Sequence, residues 1–360
     1  MSARTLAPQI LTSRRLKQAA RTAHALRRRL TGRKPVVMAF LQSGDSASDL
    51  LNAALEKIAA AYPVTVQRYR VGSPDKSAAP EPERLAAFIA RDTQALADIH
   101  DLSPIPVPSD LPPGEDLRQR LGHYSSAAIA FEGEWYTGVE RLHYLEERLG
   151  AQAGTCLFEP PQEAESAPPG GEIEMFLSLR SPYSYIAMMR ITDLAQRWGA
   201  TLKLRPVLPM VMRGLPVPRE KRFYIVRDCK READRFGLPF GRIVDPVGAG
   251  VERGLALVPL AREAGVLPAY LQSFLTGVWS QGLDVTTQGG LQGITARVGL
   301  DESSVRAALS NESWRDEMDA NRRALFDLGL WGVPSFRVGN QVTWGQDRLW
   351  RVGRWLNGLT

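Results

Sequence analysis

The sequence predicts an α/β protein made of two successive units with the same element order, the second enlarged by an all-helical insertion. Three observations carry this. Each half opens with an apolar strand that breaks into a polar-capped helix: the run at residues 36–41 before Ser43-Gly44-Asp45, and the alternating Ile173, Met175, Leu177 and Leu179 before Arg180-Ser181-Pro182. Residues 80–92 align without a gap on 216–228, sharing Pro80 and Pro82 with Pro216 and Pro218, and Arg91-Asp92 with Arg227-Asp228. Gly138-Val-Glu-Arg-Leu142 then returns as Gly345-Gln-Asp-Arg-Leu349. Three blocks in one order are hard to reconcile with chance.

Bulk properties suit this reading. The chain has 360 residues, enough for two domains, and is 44% hydrophobic and 23% charged, as a folded globular protein should be. No apolar run approaches the ~18 residues of a membrane span, so none is expected. Cys156 and Cys229 are far apart and form no C-x-x-C pair. That argues against a disulfide framework and against dithiol redox chemistry, and makes a reducing, cytoplasmic setting the expectation.

Residues 1–34 form a basic N-terminal arm. They hold ten Arg or Lys and no acid, so the rest of the chain is net acidic although the whole carries +6. Nucleic-acid binding by the body is therefore not expected. Leu16, Ala19, Ala23, Leu26 and Leu30 recur at steps of three and four, giving an apolar helical stripe. Adhesion to an anionic membrane surface, an organelle transit sequence, and an arm packing on its own protein or a partner are all compatible with this.

The first unit spans 35–150. Strands are expected at 36–41 and 64–70, helices at 46–60 and 83–100, and a proline-rich connector over 101–113. A strand, a hairpin at Glu132-Gly133, a strand and a helix fill 126–149. A linker follows at 151–171, with Pro160-Pro161 and Pro168-Pro169 among Glu, Ala and Ser.

The second unit spans 172–360. Ser181 is a good N-cap, and Pro182 suits the first helical turn because its missing N–H would be unpaired there. A hydroxyl beside the open N–H groups of a helix start suits an anion or a thiolate, while the plainer reading is a cap and nothing more. Near the end, Val333-Pro334 directly before a strand is a candidate cis peptide, and Gly339-Asn340 is a hairpin turn.

These residues carry a resemblance. Ser-Pro-Tyr-Ser-Tyr at 181–185, Gly-Val-Pro-Ser-Phe at 332–336 and Trp-Gly-Gln-Asp-Arg-Leu at 344–349 resemble the 2-hydroxychromene-2-carboxylate isomerases and kappa-class glutathione transferases. These are DsbA-like thioredoxin folds that use glutathione. The likeness covers roughly 172–358 and implies tandem thioredoxin-like domains. Residues 240–323 have no counterpart in the first unit and read as helices near 254–264, 268–281, 287–298 and 302–326, and the resemblance implies an all-helical insertion at this point.

The resemblance implies a glutathione-dependent isomerase or transferase acting on a small aromatic or unsaturated carboxylate. Ser181 matches the catalytic serine that would hold the glutathione thiolate. Val333 and Pro334 would pair with the tripeptide backbone. Asp347 would meet the γ-glutamyl ammonium, the N–H groups beside Gln346 and Asp347 its carboxylate, and Lys221 the glycine carboxylate. Tyr183, Arg213 and Trp344 are the candidates for the substrate cleft, with Trp279 and Trp331 nearby. No metal site is expected. The family usually has an asparagine in the loop after the second strand, and residues 210–221 contain none; Gln346 also departs from the usual small residue or Asn.

With Ser43 set against Ser181, the first unit has an acid in its capping region, Ala127 for Pro334 and Glu140 for Asp347. No catalysis is expected from it. Its expected role is to cover the second unit as a partner subunit would, a pseudo-dimer within one chain that leaves homodimerisation open. Two rivals remain: a non-catalytic binding or scaffold protein, and a DsbA-type disulfide oxidoreductase, which the missing C-x-x-C disfavours.

Overall fold

The structure, a computed structural model, describes residues 8–165 and 170–359. Residues 1–7 of the arm, Pro168-Pro169 of the linker and Thr360 lie outside the described residues. The chain divides into two compact units. One comprises Arg14–Pro161 together with Val217–Tyr224. The other comprises Gln162–Pro216 and Ile225–Thr360, with the stretch up to Ser13.

The N-terminal unit is built on a four-stranded sheet of order β2-β1-β3-β4, with β1 Val36–Leu41, β2 Thr65–Arg70, β3 Ala128–Phe131 and β4 Glu134–Thr137. β1 runs parallel to β2 and antiparallel to β3. The helix Ser46–Ala61 crosses between the parallel pair and buries Leu50, Leu51, Leu55 and Ile58. Each such side chain is worth about 1.5–3 kcal/mol when fully buried, so this face anchors the sheet.

The C-terminal unit repeats the order as β6-β5-β7-β8, with β5 Glu172–Leu177, β6 Thr201–Pro206, β7 Ser335–Val338 and β8 Gln341–Trp344. Strand directions match as well. The helix Pro182–Arg197 buries Tyr185, Ile186, Met188 and Ile191 against this sheet. The insertion is helical as expected, although the span foreseen at 302–326 breaks into Glu302–Ala308 and Trp314–Asp327. Asn311 ends the first piece by accepting the Ser313 N–H, a local side-chain bond that competes with the helical ladder. Insertion helix Ala249–Ala256 packs so closely that a Cβ at Gly254 would lie 2.7 Å from Leu179, the residue two before Ser181.

The register corrects one expected equivalence. Phe40 pairs with Ala128 in the first sheet, and Phe176 with Ser335 in the second. Carried past the strand ends, this matches Asp45, not Ser43, with Ser181. Hydrogen bonds agree: Ser48 Oγ accepts the Gln42 N–H, as Ser184 Oγ accepts that of Ser178. The glycine turn in Ser43-Gly44-Asp45 had disguised a two-residue offset.

The linker is anchored at both ends. Glu146 accepts the N–H groups of Leu157 and Phe158 in the first unit, and Phe158 is buried. In the second, the Trp198 indole donates to Ala164 O at 2.9 Å.

Candidate active site

Ser181 ends the loop after β5 and caps the helix that follows. Its Oγ accepts the Ser184 N–H at 3.1 Å, with extended backbone at φ −94°. That bond uses an oxygen lone pair and leaves the hydroxyl proton to be donated elsewhere. The side chain is half-buried. Directly before it, Arg180 makes a bidentate ion pair with Asp245 at 2.8 and 2.7 Å, fixing the loop's entry.

The Val333–Pro334 peptide is cis, as the motif led us to expect. The β7 ladder begins one residue later at Ser335, opposite Phe176, so the prolyl peptide lies at the end of β5 from which the Ser181 loop emerges. Pro334 O accepts the Gly345 N–H at 2.9 Å, tying the prolyl segment to the Gln346–Asp347 turn. Arg190, on the helix Ser181 caps, donates to Gln346 O at 2.8 Å and ties that helix to the same turn. Three sequence-distant segments are thus stitched at one end of one sheet.

Gln346 was expected at a ligand-binding turn, yet its side chain is buried in a polar network. It accepts from Arg190 through Oε1 at 2.7 Å and donates through Nε2 to Glu232 at 2.5 Å. Arg190 also pairs with Glu163 and lies 3.7 Å over the Phe236 ring. Burial lowers the Arg190 pKa, and the two carboxylates oppose that. Buried polar groups of this kind must be satisfied internally, so Gln346 is a structural keystone of the turn, and only its main chain remains for a ligand. Asp347 is half-buried in the single-turn helix Gln346–Arg348, its Oδ1 3.2 Å from Arg348. The carboxylate folds back so far that a Cβ at Gly345 would lie 2.5 Å from it, and Gly345 has φ +117°. Glycine is required there twice over.

Tyr183 donates to Asp228 Oδ2 at 2.8 Å, and Asp228 Oδ1 takes Arg231 at 2.9 Å. Asp228 and Arg231 are buried, so this triad holds the Tyr183 ring rigidly, two residues from Ser181. Sequence reasoning used Arg227-Asp228 only for alignment; the same pair was the available signal. Trp344 lies beside the prolyl segment, 4.8 Å from Trp331, while Trp279 stacks separately on Phe240. The three tryptophans expected near one cleft therefore divide between two separate aromatic pairs. Tyr185 is core, donating to Pro239 O. Arg213 closes the short turn Met210–Arg213 that follows β6.

Lys221 is a correction. Its Nζ donates to Ala78 O at 2.6 Å and it belongs to the N-terminal unit, because Val217–Tyr224 packs there. It sits in the first turn of the helix Arg219–Arg235. Burial lowers the Lys221 pKa. Neither cysteine is near a helix start: Cys229 lies inside the helix Arg219–Arg235, and burial pushes the Cys156 thiol up to about 12.

The family model for the DSBA-like thioredoxin domain matches residues 172–354, just over half of the 360. The chain belongs to the DSBA-like thioredoxin domain family. The match covers the C-terminal unit and its helical insertion, the part that carries Ser181 and Pro334. A 2-hydroxychromene-2-carboxylate isomerase of Sphingobium xenophagum is 26% identical over 185 residues, covering 49% of this chain and 93% of its own. One of Pseudomonas putida is 26% identical over 189 residues, covering 50% and 91%. A solved 2-hydroxychromene-2-carboxylate isomerase aligns over 52% of this chain and 95% of its own, at 22% identity and a TM-score of 0.46. Among the described residues, no helix is long and apolar enough to cross a membrane.

Proposed function

We propose that the C-terminal unit is a glutathione-dependent isomerase or transferase of the 2-hydroxychromene-2-carboxylate isomerase and kappa type, acting on a small aromatic or unsaturated carboxylate in the cytoplasm. The observation that carries this is a serine hydroxyl, not a thiol, at the helix start that shares its sheet end with the cis-prolyl peptide. A residue that cannot form a disulfide turns the fold away from dithiol exchange and toward holding a thiolate that belongs to a cofactor. Glutathione would supply that nucleophilic sulfur.

The protein's part is electrostatic and positional. Ser181 donates a hydrogen bond to the sulfur, and the helix dipole favours the charged form, so the thiol ionises nearer neutral pH. The main chain at Val333 offers pairing for an extended tripeptide, and Asp347 offers a carboxylate for an ammonium group. Tyr183 and Trp344 supply apolar walls for a flat substrate.

The test is a thermal shift with millimolar reduced glutathione. Stabilisation that falls away in Ser181→Ala and Asp347→Ala supports the proposal. No shift in the wild-type protein sinks it and leaves the second reading, a non-catalytic binding or scaffold protein. One observation favours that alternative: Lys221, the residue matched to the glycine carboxylate, is committed to Ala78.

A further inference from the structure

The basic arm helix docks on its own unit with the unexpected face. In Arg14–Thr31 no residue is buried, and contact is made by cations. Arg21 grips Glu134 through two bonds of 2.6 and 2.7 Å, Lys17 adds a third contact at 3.2 Å, and Arg28 pairs with Glu132. Arg148 reaches both glutamates as well, completing a six-residue ion cluster around the β3–β4 hairpin.

At 100° per residue, Lys17, Arg21 and Arg28 share one side of the helix, and Leu16, Ala19, Ala23, Leu26 and Leu30 occupy a sector of roughly 80° on the other. The apolar stripe consequently faces away from the protein: Leu16 is 55% exposed, Leu26 56% and Leu30 79%. Arg15 and Arg27 border the stripe on its two sides, Arg29 lies beyond, and Arg33 and Lys34 follow the helix, all exposed. The arm contains no acid.

We propose that this outward face docks on an anionic lipid surface. An apolar stripe edged by arginines matches a layer whose acyl boundary takes leucine and whose headgroups take cations. A second copy of the helix would cover the leucines but set like charges side by side, with no acid to relieve them. A nucleic acid would neutralise the arginines and leave the leucines wet. The ion cluster on Glu132 and Glu134 acts as the mount that keeps the leucines pointing outward. This reading is independent of the chemistry at Ser181.

The experiment is co-sedimentation of the full chain with phosphatidylcholine vesicles and with mixed phosphatidylcholine–phosphatidylglycerol vesicles. The wild-type protein is expected to partition onto the mixed vesicles only. Leu16→Ser/Leu26→Ser/Leu30→Ser should weaken partition roughly a hundredfold, and Arg15→Gln/Arg27→Gln/Arg29→Gln by about ten- to a hundredfold. All six side chains are exposed, so both variants should melt like the wild type. Failure of the wild-type protein to bind mixed vesicles overturns the proposal, as does equal binding by the leucine variant. So does a leucine-dependent dimer in sedimentation velocity without vesicle binding.

Discussion

The two halves contain the same turn with different chemistry. Asp45 and Ser181 both cap the first helix after the central strand, each accepting the N–H three residues on. Ala127 and Pro334 both precede the third strand, and each carbonyl takes the N–H of the hairpin glycine, Gly138 or Gly345, at 2.9 Å. Glu140 and Asp347 both curl back over that glycine. Where the second unit buries Gln346 in an ion network, the first buries Val139 in its hydrophobic core. Capping and catalysis are therefore separable: an Asp closes the helix as well as a Ser, but it has no proton to donate and would repel a thiolate. Ala127 holds its place at φ +47° without a proline.

The comparison can be broken most sharply at Ser181. Ser181→Asp installs the first unit's residue in the second. Helix capping should survive, with stability within ~0.5 kcal/mol of the wild type, while glutathione-dependent turnover falls by roughly 10²–10³-fold in kcat/KM. Steady-state kinetics beside urea melts would separate the two, and unchanged turnover would dissolve the proposed role of the hydroxyl. Gln346→Val imports Val139 in the same way. It removes a donor from buried Glu232 and an acceptor from Arg190, so a loss of about 2–4 kcal/mol in urea unfolding is expected. A value under half a kcal/mol would mean the network repairs itself.

Asp45→Ala should cost ~1 kcal/mol in the N-terminal unit and leave glutathione affinity as it was. A drop in affinity would show that the first unit takes part in binding. The smallest effect concerns Glu134. Burial alone would raise its pKa, but the hydrogen bond from Arg21 and the charges of Lys17, Arg21 and Arg148 outweigh that, and the pKa falls to about 2. A depressed folded pKa means the stabilisation is complete above the ordinary carboxylate range and is lost as pH drops toward 2. Glu134→Gln should therefore melt roughly 2 °C below the wild type at neutral pH. That gap should close as the pH falls from about 4 toward 2; a gap that is constant with pH would show that charge is not its source.

Much of this was legible in one dimension. The central strands, the first helix of each half and the insertion all follow from local periodicity and caps, which depend on residues a few positions apart. Ser181 and Pro334 were legible for the same reason, each advertised by a short motif. What was not legible shares a cause. The burial of the Gln346 side chain escaped because Arg190 and Glu232 reach it from other helices. The match of Ser43 to Ser181 failed by two positions because only strand register counts residues through a glycine turn. Lys221 was placed by alignment, whereas packing assigns Val217–Tyr224 to the other unit.

By itself, then, the chain's order of residues determined that two α/β units of one design follow each other, and that the second carries a hydroxyl and a prolyl peptide at its functional end. Those are matters of pattern and backbone preference, decided within a turn or a strand. Only the tertiary structure decided that the arm turns Lys17, Arg21 and Arg28 inward and its leucines out. The reason is that Glu132 and Glu134 outbid water for the cations, a contact no window of local sequence contains.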